Sequence, residues 1–267
     1  MQSAEIRITN HVSEIGRVAE LLDAFGRRHA LSERVRLDMT IALEEIISNI
    51  IHHSYDDDAS HGIFVTLRVT EGELRAEIVD DGAAFNPLTY DAPKPSGPLS
   101  DRAPGGLGLH FVKALTDNVR YFRAANSNHL TLIKRTAAPE AGPAVSAGLG
   151  SATRLSETIE NGVTIIGISG RLDGTVARAI RERLSQLIDT GTGRMLLDLG
   201  GLSYISSAGF WCLAAIGKRI ESRQGSLALC GVGGELKRLF DLGGFTDLFR
   251  ICATRELGLE AVRASVS

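Results

Sequence analysis

The 267-residue sequence predicts a two-domain α/β protein: an antiparallel sheet with helices on one face, then a mostly parallel sheet with helices. Three observations carry this. The seven prolines fall in two places only, five within 87–104 and two, Pro139 and Pro143, in a stretch rich in Ala, Gly, Pro and Ser. Before that stretch, strand patterns come in hairpin-like pairs. After it, strands and helices alternate.

In the first half, Glu5 to Thr9 alternates as a strand, and Ile15, Val18, Ala19, Leu22 and Phe25 mark a helix. A longer helix runs from Val35 to Ser54, with Met39, Leu43, Ile46, Ile47 and Ile50 on its apolar side and Glu45, Asn49 and His53 on the opposite, polar side. Ile63 to Val69 and Leu74 to Val79 are strands joined near Glu71-Gly72. A helix follows the Gly105–Gly108 turn to about Leu115, then strands near Val119 to Arg123 and Leu130 to Lys134. In the second half, Val163 to Ser169 is a strand, and Val176, Ile180, Leu184, Leu187 and Ile188 form a helix. Met195 to Leu199 is a continuous apolar run, the mark of a strand buried on both faces. A helix from about Ser207 to Ile220, a strand at Leu227 to Cys230, a helix around Leu236, Leu239 and Phe240, and a last one near Leu257 to Val262 complete the pattern. The domains are expected at 1–136 and 153–267, with 137–152 as linker.

Composition narrows the function. A net charge of −3 gives no global basic field for nucleic acid. Cys212, Cys230 and Cys252 form no CxxC pair, which argues against a zinc site or disulfide framework and suits a reducing, cytoplasmic setting. The N-terminus lacks the apolar core of a signal peptide, and the apolar stretch near Phe210 to Ile216 is too short to span a bilayer. No membrane and no direct nucleic-acid partner are expected.

Three clusters in fixed order describe a nucleotide site. Glu45 and Asn49 stand four residues apart, so on a helix they share a face. A carboxylate there can act as a base, and an amide oxygen can bind a hard cation such as Mg²⁺. Asp80 ends an apolar strand before the turn at Gly82, where a carboxylate can accept from an adenine amino group. Gly105, Gly106 and Gly108 lead into a helix whose N-terminal N–H groups and dipole favour phosphate. Each cluster alone has a plain explanation: a solvated helix face, an Asp-Gly turn, a flexible loop. Their order and placement agree with a nucleotide site, with the Pro/Gly-rich loop before the last as a functional segment such as a lid.

Residues 5–135 resemble the Bergerat-type ATP-binding domain, and within it the serine kinases that act as bacterial anti-sigma factors. The resemblance rests on Leu43-Glu-Glu-Ile-Ile-Ser-Asn-Ile-Ile-His-His-Ser-Tyr55, Val79-Asp-Asp-Gly-Ala-Ala-Phe-Asn-Pro87, Gly105-Gly-Leu-Gly-Leu-His-Phe-Val-Lys113, Asp117-Asn-Val-Arg-Tyr121 and Asn128-His-Leu-Thr-Leu-Ile-Lys134. It implies Glu45 as general base, Asn49 as Mg²⁺ ligand, and Asp80 as adenine contact. Gly82, Gly105, Gly106, Leu107, Gly108 and Thr131 complete the ATP site, and 87–104 forms its lid. Ala84 replaces a glycine frequent in the family, and Pro104 stands where some members carry an arginine before the glycine run, Arg102 lying two residues earlier. Residues 154–265 are similar to STAS domains of anti-sigma factor antagonists, through Gly167-Ile-Ser-Gly-Arg-Leu-Asp173, Leu196-Leu-Asp-Leu-Gly-Gly-Leu-Ser-Tyr-Ile-Ser-Ser-Ala-Gly-Phe210 and Gly231-Val-Gly-Gly-Glu-Leu-Lys-Arg-Leu-Phe-Asp-Leu-Gly-Gly-Phe245. That resemblance implies Ser207 as phosphoacceptor. Ser206 replaces the Asp that often precedes the acceptor, so either serine can be the site or simply an N-cap.

Two functions follow. One is an ATP- and Mg²⁺-dependent protein serine kinase fused to its own antagonist substrate, whose partners are its own or a dimer mate's STAS domain, a sigma factor or a separate STAS antagonist. The other is a non-catalytic ATP-binding switch, which Pro104 favours as intact Glu45 favours the kinase. A DNA-metabolism ATPase fits poorly, for want of a transducer domain or basic surface.

Overall fold

The computed structural model describes residues 2–70, 72–89, 106–136, 153–191 and 193–264. They fall into two compact units, each built on a five-stranded sheet.

In the first unit the order is β1 (Gln2–Thr9), α1 (Ile15–Arg28), α2 (Glu33–His53), β2 (Gly62–Thr70), β3 (Glu73–Asp80), α3 (Leu107–Leu115), β4 (Asn118–Ala124) and β5 (Ser127–Arg135). The strands pair antiparallel in the order β1-β2-β3-β5-β4. One face carries Ile8, Ile63, Val65, Leu67, Leu74, Ala76, Ile78, Leu130 and Leu132, packed with Val18, Leu22, Met39, Leu43, Ile47 and Val112 of the helices. The helices therefore cover one face, as expected. The other face keeps Phe64 and Phe122 about half exposed (50% and 53%). They lie in one transverse row, Arg7, Phe64, Val79, His129 and Phe122, set by the strand register. The Arg7 guanidinium sits over the Phe64 ring at 5.5 Å, and Phe122 stacks on His129 at 4.5 Å.

Helix α2 starts at the cap Ser32, whose hydroxyl accepts from the Val35 N–H. Its expected polar side is not a solvated one. Asp38, Thr40, Glu44 and Glu45 are buried along with the apolar residues, because α1, α3 and the sheet enclose most of the helix. His53, at its end, is exposed. The Lys134 ammonium pairs with buried Asp38 at 2.9 Å and donates to the Leu115 carbonyl at 2.7 Å, fastening β5 to both α2 and the end of α3.

The second unit runs β6 (Arg154–Glu160), β7 (Val163–Leu172), α4 (Gly174–Thr190), β8 (Arg194–Ile205), α5 (Ser207–Glu221), β9 (Ser226–Cys230), α6 (Gly234–Leu242), β10 (Ile251–Cys252) and α7 (Arg255–Ala264). The order is β10-β9-β8-β7-β6, parallel except for β6. Val163, Ile165, Leu196 and Ala228 pack on Leu259 and Val262 of α7. Helices α5 and α6 join through Phe210, which meets Phe240 edge-on and stacks on Phe245. The buried run beginning at Met195 is thus a strand inside a covered sheet. Among the described residues no helix is long and apolar enough to cross a membrane. The expected lid lies mostly, and the expected linker wholly, outside the described residues.

Candidate nucleotide site and helix-capped serine

The three sequence clusters converge on the C-terminal half of α2. Glu45 and Asn49 lie on it, Glu45 6% exposed and Asn49 half-buried. Helix α3 opens on Gly106, whose φ of 79° is a left-handed conformation that glycine adopts without penalty. Two residues on, Gly108 faces Glu45: a Cβ at 108 would stand 2.4 Å from Glu45 Oε2. The missing side chain is what lets the first turn of α3 close on that carboxylate. Leu107 is buried beneath the turn. Gly105 lies outside the described residues.

Asp80 ends β3 and is 4% exposed. Its Oδ1 accepts from the Gly82 N–H and from Asn128 Nδ2, each at 2.9 Å. Burial raises its pKa, opposed by those two hydrogen bonds and by the Arg123 charge. The turn after Asp80 is seated on the end of α2. A Cβ at Gly82 would fall 2.5 Å from Ser54 Cβ, and the Ala83 N–H donates to the Ser54 carbonyl at 2.8 Å. One helix thus carries Glu45 and Asn49 and anchors the Asp80 turn.

Thr131 is elsewhere. Register puts it between Glu77 and Arg120, on the sheet face opposite Asp80. The β5 residue brought to Asp80 is Asn128, 5% exposed and paired with it across the strands. Sequence reading missed it by starting the strand at Leu130. The available signal was an asparagine in phase with the core residues Leu130 and Leu132.

The residues suit a nucleoside triphosphate. The described bonds to Asp80 use Oδ1, which leaves Oδ2 for a base, and a glycine-opened helix turn faces a buried acid. No group of three or more His, Cys, Asp or Glu side chains forms a metal site among the described residues. A single amide ligand such as Asn49 suits an ion held mainly by phosphates and water, as Mg²⁺ commonly is.

In the second unit, Ser206 is the N-cap of α5. Its buried hydroxyl accepts from the Gly209 N–H at 3.3 Å. Ser207 is the first helical residue and is half-buried. A Cβ at Gly209 would meet the Leu172 carbonyl at 2.4 Å, so glycine there holds α5 against the end of β7. Asp173 caps α4, accepting from the Thr175 N–H, and a Cβ at Gly174 would come within 4.0 Å of Ala208. The two helix starts are neighbours.

Fold and site define an ATPase-type α/β sandwich followed by a capped-helix parallel-sheet domain. Residues 8–134 match the histidine kinase-like ATPase domain and 155–257 the STAS domain. The serine/threonine-protein kinase BtrW of Bordetella bronchiseptica is 33% identical over 116 residues, 43% of this chain and 82% of its own length. The putative anti-sigma factor antagonist BtrV of the same bacterium is 30% identical over 106 residues, 40% of this chain and 91% of its own. The serine-protein kinase RsbW of Bacillus subtilis is 29% identical over 90 residues, 31% of this chain and 54% of that protein. Among solved structures, the unphosphorylated anti-sigma factor antagonist SpoIIAA overlaps with TM-score 0.37 at 22% identity, covering 43% of this chain and 100% of that one. The chain belongs to the family of anti-sigma factor serine kinases in its first half and of STAS anti-sigma factor antagonists in its second.

Proposed function

We propose that this chain is a Mg²⁺- and ATP-dependent protein serine kinase joined to its antagonist substrate in a cytoplasmic partner-switching system that controls sigma factor-dependent transcription. Residues 1–136 are the kinase, 137–152 the linker and 153–267 the STAS domain. The observation that carries this reading is the buried Glu45 carboxylate against the glycine-opened turn of α3, one helical turn from Asn49. Bound ATP with Mg²⁺ supplies the transferable phosphoryl group. Asp80 accepts from the adenine amino group; Gly82, Gly105, Gly106, Leu107 and Gly108 give backbone access to the nucleotide. Asn49 provides an oxygen for the cation. Glu45 takes the proton from the attacking serine hydroxyl, and the α3 N-terminus stabilises phosphate charge.

Ser207 is the acceptor in this reading. The Ser206 hydroxyl accepts the cap bond from the Gly209 N–H, and Ser207 is the first residue of the helix, whose N-terminal dipole favours a phosphate. The partners are its own or a dimer mate's STAS domain, a sigma factor, or a separate STAS antagonist.

The experiment is incubation with labelled ATP and Mg²⁺, with the label mapped by mass spectrometry. Wild type is expected to carry phosphate on Ser207. Glu45→Ala is expected to bind ATP with near-normal affinity yet transfer at least a hundredfold more slowly, the scale of a lost general base. Equal transfer by the two proteins removes Glu45 as base. ATP binding with no transfer by wild type would favour the alternative that Pro104, standing in place of an arginine, suggests: a nucleotide-driven switch without chemistry.

A further inference from the structure

Asn128 has all its hydrogen-bonding capacity engaged. Its Nδ2 donates to Asp80 Oδ1 and to the Ala83 carbonyl, both at 2.9 Å, with the Gly82 carbonyl at 3.4 Å. Its Oδ1 accepts from Arg123 Nη1 at 2.7 Å and from the Tyr121 hydroxyl at 2.9 Å. These partners fix the amide's orientation. Turned over, its oxygen would face a carboxylate and two carbonyls, and its NH₂ would face a guanidinium. Arg123 Nη1 also donates to the Gly82 carbonyl at 3.0 Å. The turn after Asp80 is therefore held from β4 and β5 as well as from the end of α2.

The consequence falls on Asp80. With Oδ1 taken by Gly82 and Asn128, the atom left for a ligand is Oδ2, in a fixed direction. An ionised oxygen so fixed accepts from an exocyclic amino group and repels an oxo group. We propose that Asn128, braced by Arg123 and Tyr121, is the positioning residue that makes this site select a 6-amino purine over a 6-oxo purine. This rests on the reading of Asp80 as the base contact. Burial already favours protonation of Asp80, and the Asn128 bond opposes it. Without Asn128, Asp80 takes up a proton at higher pH; a protonated carboxyl can donate, and the preference for the amino base falls.

The test uses the full chain, with ATP and ITP as probes that differ at the purine 6-position. Affinities are measured by calorimetry from pH 5 to 8 for wild type, Asn128→Leu and Arg123→Met. Wild type is expected to prefer ATP by roughly tenfold or more. Asn128→Leu should lose most of that preference, and its ATP affinity should fall away at higher pH on acidification than in wild type. Arg123→Met, altering an exposed side chain, keeps the fold and should lower the preference by a few-fold. Its lost bond is one of two to Asn128 Oδ1. An unchanged ATP/ITP ratio and acid limb in both variants, beside a wild type that binds ATP, overturns the inference alone. Wild type binding neither nucleotide overturns the base-contact reading along with it.

Discussion

At Gly108 the space for a side chain belongs to another residue. The position a Cβ would take lies against the Glu45 carboxylate, and Glu45, being buried, has little room to retreat. Gly108→Ala should therefore disturb the site through Glu45. The expected result is a phosphoryl-transfer rate reduced as strongly as in Glu45→Ala, with a loss of about 1–3 kcal/mol in stability from overpacking. Paired denaturation and labelling assays check it. A Gly108→Ala protein with wild-type transfer would mean that Glu45 and the α3 turn are not coupled. At this scale the sequence was informative where chemistry depends on spacing along one helix, as for Glu45 and Asn49. It was uninformative where chemistry depends on strand register. Asn128 and Thr131 differ by three positions and fall on opposite sheet faces, and only the alternation with Leu130 and Leu132, extended back past the strand's apparent start, tells them apart.

Helix α5 separates two roles that adjacent serines could share. Ser206 caps, and Ser207 opens the helix. Ser206→Ala should lower the stability of the second unit by about 1 kcal/mol, the usual scale for a lost cap. Ser207→Ala should keep the fold of the second unit while abolishing labelling. Thermal melts and phosphopeptide mapping on both variants decide this, and label persisting on Ser206 in Ser207→Ala would reverse the assignment. The regular elements were legible because their apolar residues recur with a clear period. Strand β6 was not, since every one of its residues is exposed and its alternation marks no buried side. Strand β8 continues past Leu199, where the apolar run stops, through Gly200 and Gly201 to Ile205. The structure accommodates them with register shifts against β7. Helix α2 lies where its period puts it, but the burial of Asp38, Thr40 and Glu44 was not legible, because periodicity does not reveal how many neighbours a helix has.

The two units have separate cores, so nucleotide should act on one of them first. Calorimetry of the intact chain and of the two halves is expected to show ATP with Mg²⁺ raising the melting temperature of the first half, through a stabilisation of about 2.7 kcal/mol at a hundredfold excess over Kd. In the proposed arrangement, 16 residues, 137–152, tether the two halves. Such a tether gives effective concentrations near millimolar. Separated halves should therefore bind each other more weakly than their joined performance suggests, and phosphate on Ser207, adding up to two negative charges, should weaken them further. No mutual affinity at high micromolar concentration, with or without nucleotide, would remove self-docking from the proposal. The sheets themselves differ in mechanical access. The second is covered by helices around its central strands, whereas in the first, among the described residues, the helices pack on one face and the other keeps Phe64 and Phe122 half exposed. On β3, β5 and β4 the row of Val79, His129 and Phe122 lies one residue from the row of Asp80, Asn128 and Arg123. The pleat aims alternate rows to opposite faces, so a bend imposed at the aromatic row would also tilt the side chains of Asp80 and Asn128 one residue away.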